Sequence, residues 1–540
     1  MANTRRDHAA TTPRGKVLFI TIDQWRADAM SAVGHPCART PALDRLAADG
    51  ALFLNHFAQC SPCGPSRASL LTGLYQMNHR SVRNGTPLDS RHRNLALEAR
   101  RAGYDPMLFG YTDTSADPTR HATGDPALTT FEGVLPGFRV GCQIQEDGGP
   151  WRDSLVRLGY PLEDGPLAAY QPVDGGAGYA LGGEDAPRPI YDAEHSDTAF
   201  LTDRVLEYLT PRRNEPWFAH VSFLRPHPPL IAPEPWRSLV DPADVPLPSR
   251  PLSREEEAKA HPLLAWLQHK HGRPGVYTGH DVDMAGLPER ELRQVMATYY
   301  GLLAEVDHHV GRLVSHLENT GQLDETLIVI TSDHGELLGD RWLFGKEGYF
   351  DPAFRVPLIV RNPQREAREA KGVTVKRFTE AVDIMPTLLD WIGLDVPAEC
   401  DGRSLLDFTR GQQPGTWREA AHWEFDFRDV ASQRPETMLG LTSDQCTLMT
   451  LRNDRYKYVH FTALPPVLHD MQEDPLEARN LADDRAYRGI ALEMAREALN
   501  WRMLHADRRL TNTVLTADGA FVRNGPRIGG RSDSAGSGAP

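Results

Sequence analysis

Cysteine, long apolar runs and net positive charge are all scarce in this chain. Six cysteines in 540 residues (Cys37, Cys60, Cys63, Cys142, Cys400 and Cys446) are too few for a disulfide scaffold. Cys60 and Cys63 form a C-x-x-C pair, but no second such pair and no Cys/His pair at finger spacing accompanies it, which argues against zinc. No apolar run approaches the roughly 18 residues that span a bilayer. The first residues, Met1 to Lys16, are polar, with Arg5, Arg6 and Arg14 and no apolar core, so no secretory signal is expected. A cytoplasmic protein without a membrane partner is the expectation. With 73 acidic against 59 basic residues the net charge is -14. That balance argues against non-specific binding to nucleic acid or to an anionic membrane. It leaves an anionic substrate open, because a metal and a few cations can invert the field locally.

What is present is ordinary globular material, 40% hydrophobic and 24% charged. Val17-Leu18-Phe19-Ile20-Thr21-Ile22 and Leu327-Ile328-Val329-Ile330-Thr331 are short apolar, β-branched runs of the kind buried on both faces of a parallel sheet. Each ends in residues able to bind metal: Asp23-Gln24 after the first, Ser332-Asp333-His334 after the second. Ligands of open α/β sheets bind beyond the carboxyl ends of strands, so these two ends could share one site. Trp217 to Leu224 and Val356 to Val360 read as further strands. Thr40 to Gly50, Leu292 to Leu317 and Thr379 to Gly393 carry helical apolar spacing. Gly141 to Pro189, rich in Gly, Asp and Pro, reads as a long surface insertion. Thr447–Leu451 and Tyr456–Val459 suggest strands around a polar turn. The expected fold is α/β, with a large, mixed but mostly parallel central sheet flanked by helices and a smaller C-terminal antiparallel α+β subdomain. The boundaries expected are a disordered 1–15, a catalytic domain at 16–412, the subdomain at 413–510 and an extended tail at 511–540.

The densest chemical signal is Cys63-Gly64-Pro65-Ser66-Arg67, continuing through Leu70-Leu71-Thr72-Gly73. This stretch resembles the signature of the sulfatases of the alkaline phosphatase superfamily. The resemblance extends over about residues 16 to 485, and is nearest to the phosphonate monoester hydrolase branch. Leu468-His469-Asp470, Asp474-Pro475 and Asn480-Leu481 resemble the C-terminal signature of the family. The resemblance implies that Cys63 is oxidised to formylglycine by a formylglycine-generating enzyme. The aldehyde hydrate would be the nucleophile: one hydroxyl attacks sulfur or phosphorus, and the other lets the adduct collapse by C–O cleavage. It also implies a divalent metal on Asp23, Gln24, Asp333 and His334 together with residue 63, and Asn84, Tyr111, His227 and Lys346 around the transferred group. The oxygen-rich ligand set suits Ca²⁺, Mg²⁺ or Mn²⁺, and the histidine tilts it toward Mn²⁺. Arg67 would orient residue 63, Lys346 would neutralise oxygen charge and His227 would protonate the leaving oxygen. The chain departs from ordinary sulfatases in carrying Asp-Gln and Asp-His at the strand ends and in lacking Gly-Lys-Trp after Gly110-Tyr111-Thr112. Those departures are shared with the phosphonate branch. That branch usually has a hydroxyl residue where this chain has Asp113, which as a substrate-binding anion in the pocket would disfavour doubly charged phosphate monoesters against singly charged sulfate or phosphonate monoesters.

By residue type alone, several positions have a second reading. Cys63 fits a structural turn before a helix, Asp23 and Asp333 fit helix caps, and His227 fits a structural loop histidine. Lys346 fits a surface charge, Tyr111 packing, Asn84 a turn before Gly85, and Asp113 a loop cap. Asp307, His308 and His309 resemble a ligand set but fall on a helical pattern, and read as helix surface or structural hydrogen bonding. The function implied is formylglycine-dependent hydrolysis of small anionic esters: sulfate monoesters, phosphonate monoesters and phosphate diesters. A phosphodiesterase or phosphatase with unmodified Cys63, or an inactive binding protein, is the alternative. A homodimer or homotetramer is implied by the resemblance.

Overall fold

Eight strands build the central sheet: Lys16–Ile22 (β1), Ala51–Phe53 (β2), Met107–Gly110 (β3), Arg139–Gln143 (β4), Phe218–Phe223 (β5), Thr326–Ser332 (β6), Leu358–Arg361 (β7) and Val373–Val375 (β8). Their order across the sheet is β8-β2-β7-β6-β1-β5-β3-β4. Only β7 runs antiparallel to its neighbours. The two apolar runs marked in the sequence lie side by side at the centre, with Ile20 opposite Ile330 and Ile22 opposite Ser332. This computed structural model describes residues 15–145, 147–165, 167–173, 187–271 and 283–522. All but the last residue of the stretch 1–15, expected to be disordered, and the end of the expected tail, from 523, lie outside the described residues.

Alternate side chains of β1 enter two separate cores, because strand side chains alternate faces. Val17 and Phe19 pack with Leu70 and Leu71 of helix Cys63–Thr72 and with Met385 and Leu388 of helix Ile384–Trp391. Leu18, Ile20 and Ile22 pack with Val295, Leu302 and Val306 of helix Glu289–Asn319. With both faces covered, β1 and β6 are buried at every residue, which is why they read as near-continuous apolar runs.

A second sheet is formed by Ala420–Asp426, Thr447–Asn453, Tyr456–Phe461 and Val467–Asp470, antiparallel in sequence order. Its outer member is the two-residue strand Cys60–Ser61, which pairs parallel to Ala420–Asp426 through Glu424 and Phe425. The second sheet thus braces the chain just before Cys63.

Three expectations are corrected. Thr379 to Gly393 is not one helix: Thr379–Glu380 pairs with His56–Phe57, and the helix spans Ile384–Trp391. Pro386 has no N–H, so it fits the first turn of that helix but would break a longer one. The strand expected at Val356 starts at Leu358. Gly141 to Pro189 is more than a surface insertion in its described parts. It completes edge strand β4 and carries helix Gly149–Arg157, whose Trp151 and Leu155 are buried in the main core.

Candidate active site

The carboxyl ends of β1 and β6 deliver Asp23, Gln24, Asp333 and His334 to one point. Helix Cys63–Thr72 enters the same point by its first residue. One ligand atom each from Asp23, Cys63, Asp333 and His334 falls within 4.8 Å of the others, and all four residues are buried. Gln24 reaches this position with a backbone φ of 69°, a left-handed turn that directs successive side chains, 23 and 24, toward the same space. Its backbone N–H donates to Asp333 Oδ1 (3.2 Å).

Arg67 lies one helical turn after Cys63 and is 1% exposed. Nε donates to Asp333 Oδ2 (2.9 Å), Nη2 to Asp23 Oδ2 (3.2 Å), and Nη1 to Ser222 Oγ (2.6 Å) and the Tyr111 carbonyl (3.1 Å). Its guanidinium also lies 4.2 Å from the centre of the Tyr111 ring. The Tyr111 hydroxyl donates to Asp23 Oδ2 (2.6 Å). A buried charge is stable only when paired and hydrogen-bonded, and here one guanidinium fixes two carboxylates. Breaking such a buried pair typically costs about 3–5 kcal/mol.

Lys346 Nζ donates to Cys63 Sγ (2.9 Å) and to Gln24 Oε1 (3.1 Å). The Lys346 carbonyl accepts from Ser61 Oγ (2.8 Å), which ties it to the strand before Cys63. Gln24 Nε2 donates to Glu336, so the amide is held with its oxygen toward Lys346. Glu336 also accepts from the backbone N–H of Leu338 (2.7 Å) and of Gly345.

His334 is held as a neutral ring. Nδ1 is 3.1 Å from the Gly335 carbonyl, and a carbonyl only accepts, so Nδ1 carries the proton. Nε2 then faces Cys63 Sγ (3.2 Å) and Asp23 Oδ1 (3.6 Å) with its lone pair. Burial and the Lys346 charge push its pKa down to about 3. Burial and then the Asp23 carboxylate push the Cys63 thiol well up. For Asp23, burial raises the carboxyl, but the charges of His227, Lys346 and Arg67 outweigh it and hold the group low. Burial and the Asp23 charge push Asp333 up.

The residues fit a divalent cation. Asp23 Oδ1 is buried and lacks a hydrogen-bond partner, and orphaned buried acceptors of this kind call for an explanation such as an ion. The neutral His334 lone pair, two carboxylates and the Gln24 amide oxygen are ordinary donors for such an ion.

The remaining residues fall around this centre. Asn84, exposed, accepts from the Gly64 N–H through Oδ1 (2.9 Å) and so holds the turn after Cys63. Asp113 is 6% exposed and its carboxylate lies 3.8 Å from Arg67 Nε. His227 Nδ1 lies 2.8 Å from the Pro228 carbonyl, and the charge of His227 is felt by Asp23. Asp307 stands apart: it caps helix Pro41–Asp49 by accepting from Ala42 (3.0 Å) and Leu43 (2.8 Å). Sequence reasoning missed Glu336, Ser222 and Ser66, whose Oγ donates to the Asp333 carbonyl. Glu336 had a signal, two residues beyond His334. Ser222, inside a strand, had none.

Comparison with known families places this geometry. The model described as Sulfatase matches residues 16–394. This chain belongs to the sulfatase family. A second model, described as N-sulphoglucosamine sulphohydrolase, C-terminal, matches residues 339–503 of this sulfatase. A phosphonate monoester hydrolase of Agrobacterium radiobacter has the same fold, with a TM-score of 0.90 and 45% identity over 95% of this chain and 100% of that one. The multifunctional alkaline phosphatase superfamily protein PehA of Trinickia caryophylli is 43% identical, over 95% of this chain and 99% of that protein. An arylsulfatase of Clostridium perfringens is 26% identical, over 87% of this chain and 91% of that protein. Among the described residues, no helix of this sulfatase is long and apolar enough to cross a membrane.

Proposed function

We propose that the chain hydrolyses sulfate monoesters and, in the same pocket, phosphonate monoesters and phosphate diesters, with Cys63 converted to formylglycine during maturation by a formylglycine-generating enzyme. The observation that carries the reading is the placement of Cys63 Sγ among Asp23, Asp333 and His334, under the Lys346 ammonium. Sulfate and phosphonate monoesters share tetrahedral geometry and a single negative charge, so one pocket can serve both. Asp23, Gln24, Asp333, His334 and the side chain of residue 63 would hold one divalent cation, Mn²⁺ ahead of Ca²⁺. Such a cation supplies positive charge that acidifies the nucleophile and screens an anionic ester. The formylglycine hydrate supplies a two-hydroxyl nucleophile whose adduct breaks at carbon rather than at sulfur or phosphorus.

The chain's own residues supply the rest. Arg67 and Tyr111 fix the Asp23 carboxylate, and Lys346 neutralises oxygen charge beside residue 63. Asn84 holds Gly64 and borders the transferred group. His227, its Nδ1 proton on the Pro228 carbonyl, passes a proton from Nε2 to the leaving oxygen. An unmodified Cys63 is the weaker reading. A single Sγ at residue 63 can make the first attack but has no second hydroxyl through which the adduct could break at carbon.

We also propose a cytoplasmic homodimer or homotetramer. All six cysteines are free thiols, which suits a reducing compartment. Leu492, Leu499 and Met503 are exposed along one side of helix Arg488–Leu504, and Leu515 and Phe521 are exposed on the hairpin Thr513–Thr516/Gly519–Val522. An isolated hairpin is marginal in water, and exposed apolar side chains of this kind suit contact between copies.

Metal removal tests the site. Stripping with a chelator should abolish hydrolysis of aryl sulfates, and Mn²⁺ should restore more of it than Ca²⁺. Undiminished turnover by protein shown to be metal-free would contradict the reading.

A further inference from the structure

Arg225 is completely buried and lies outside the ligand cluster. Its Nη1 donates to the carbonyls of His227 (3.0 Å) and Pro229 (2.7 Å). Its Nε donates to Asp197 Oδ2 (3.0 Å). The Tyr170 ring covers the guanidinium at 4.3 Å, and the Tyr170 hydroxyl donates to the same Asp197 oxygen (3.0 Å). Asp197 is the first residue of helix Asp197–Leu209, which Ser196 caps by accepting from Ala199 (3.1 Å). The anchor of the guanidinium is therefore a fixed helix end.

We infer that Arg225 is a positioning residue for His227, held in place by Asp197 and Tyr170. Residue 227 is gripped at three points. Its N–H donates to the Leu224 carbonyl (2.9 Å), its carbonyl accepts from Arg225, and its ring Nδ1 donates to the Pro228 carbonyl. The carbonyl of the residue two positions on, Pro229, is held by the same Nη1. Fixing the peptide groups on both sides of a residue fixes the direction of its Cα–Cβ bond, and hence where Nε2 can point. Taking a guanidinium out of water is costly. An apolar side chain would fill the same core more cheaply, but could not hold two carbonyls of a loop rich in proline, whose ring nitrogens have no N–H to donate. General acids must sit within hydrogen-bond reach of the departing atom, and small misplacements are costly.

The inference rests on the reading of His227 as the acid that protonates the leaving oxygen, and a leaving-group series separates the two. Aryl sulfates from 4-nitrophenyl to phenyl sulfate are turned over by the wild type, His227→Ala, Arg225→Lys, Tyr170→Phe and the Arg225→Lys/His227→Ala double variant. His227→Ala should lose about 10²-fold in kcat on the phenyl ester and far less on the 4-nitrophenyl ester, because a basic phenolate needs the proton most. Arg225→Lys should lose about tenfold on the phenyl ester with the same trend and little change in KM. Tyr170→Phe, which keeps the ring and removes only the hydroxyl on Asp197, should follow the trend more weakly. The double variant should be no steeper than His227→Ala. If His227→Ala is steep but Arg225→Lys and Tyr170→Phe lose rate equally on every ester, the positioning role is overturned and the proposed function stands. A flat His227→Ala series overturns the acid role and the inference with it. Should Arg225→Lys not fold, Tyr170→Phe decides by the same criterion.

Discussion

Asp113 adds a third carboxylate to a site in which one guanidinium already serves two. It sits in a left-handed backbone conformation, φ 48°, and is nearly buried. Its charge is felt by Cys63 and by Tyr111. A fixed negative charge there repels a doubly charged phosphate monoester more than a singly charged sulfate or phosphonate monoester. Asp113→Ala should therefore raise kcat/KM for phosphate monoesters relative to sulfate monoesters by about tenfold, or about 1.4 kcal/mol. An unchanged ratio would remove Asp113 from the account of specificity. At this scale the sequence was readable wherever ligand-type residues close an apolar strand. Asp23, Asp333 and His334 announce themselves in that way, and Cys63 by its motif. Ser222 could not be read, because its role depends on β5 lying beside β1, a pairing between residues about 200 positions apart. The hold of Asn84 on Gly64 N–H is likewise a contact of the folded turn, invisible in the order of residues.

Glu305 shows how a helix can carry a pH dependence. It lies on the helix Glu289–Asn319, buried against the start of helix Asp197–Leu209. Burial, and then the Asp197 charge, push its carboxyl from 4.5 up to about 8, against smaller opposing effects of Ser196 and Arg225. Between those values the native protein holds a proton that the unfolded chain has released. Stability therefore falls as pH rises through that window, and below it both states are protonated. Glu305→Gln imitates the protonated form. Its Tm should fall less between about pH 5 and about pH 8 than that of the wild type, and identical slopes would contradict the assignment. The long helix itself was readable from its periodicity, as were β1, β5 and β6 from their apolar runs. Thr379 to Gly393 misled because an amphipathic pattern continued through a short strand. Its true start is set by Pro386 and by pairing with His56–Phe57, and the second of these is a long-range contact. The insertion misled for a related reason: a Gly/Pro-rich composition hid Trp151, Leu155 and Tyr170, which the fold draws into the core.

For the whole molecule, the net charge of -14 surrounds a pocket whose cations are concentrated in Arg67 and Lys346, so anionic substrates meet attraction only locally. The exposed apolar side of helix Arg488–Leu504 and the hairpin beyond it are expected to be covered by another copy of the chain. Light scattering should give a mass of two or four times 60.1 kDa, and a chain ending at residue 510 should shift toward smaller species. A monomeric full-length chain would contradict this. The conversion of Cys63 to an aldehyde is decided by mass spectrometry of the unalkylated peptide spanning that residue, from protein made in its native host. The peptide should have a mass about 18 Da below that of the thiol form, the signature of the aldehyde. An intact thiol in fully active enzyme would contradict the conversion, and would leave the cluster of Asp23, Asp333 and His334 to activate some other nucleophile.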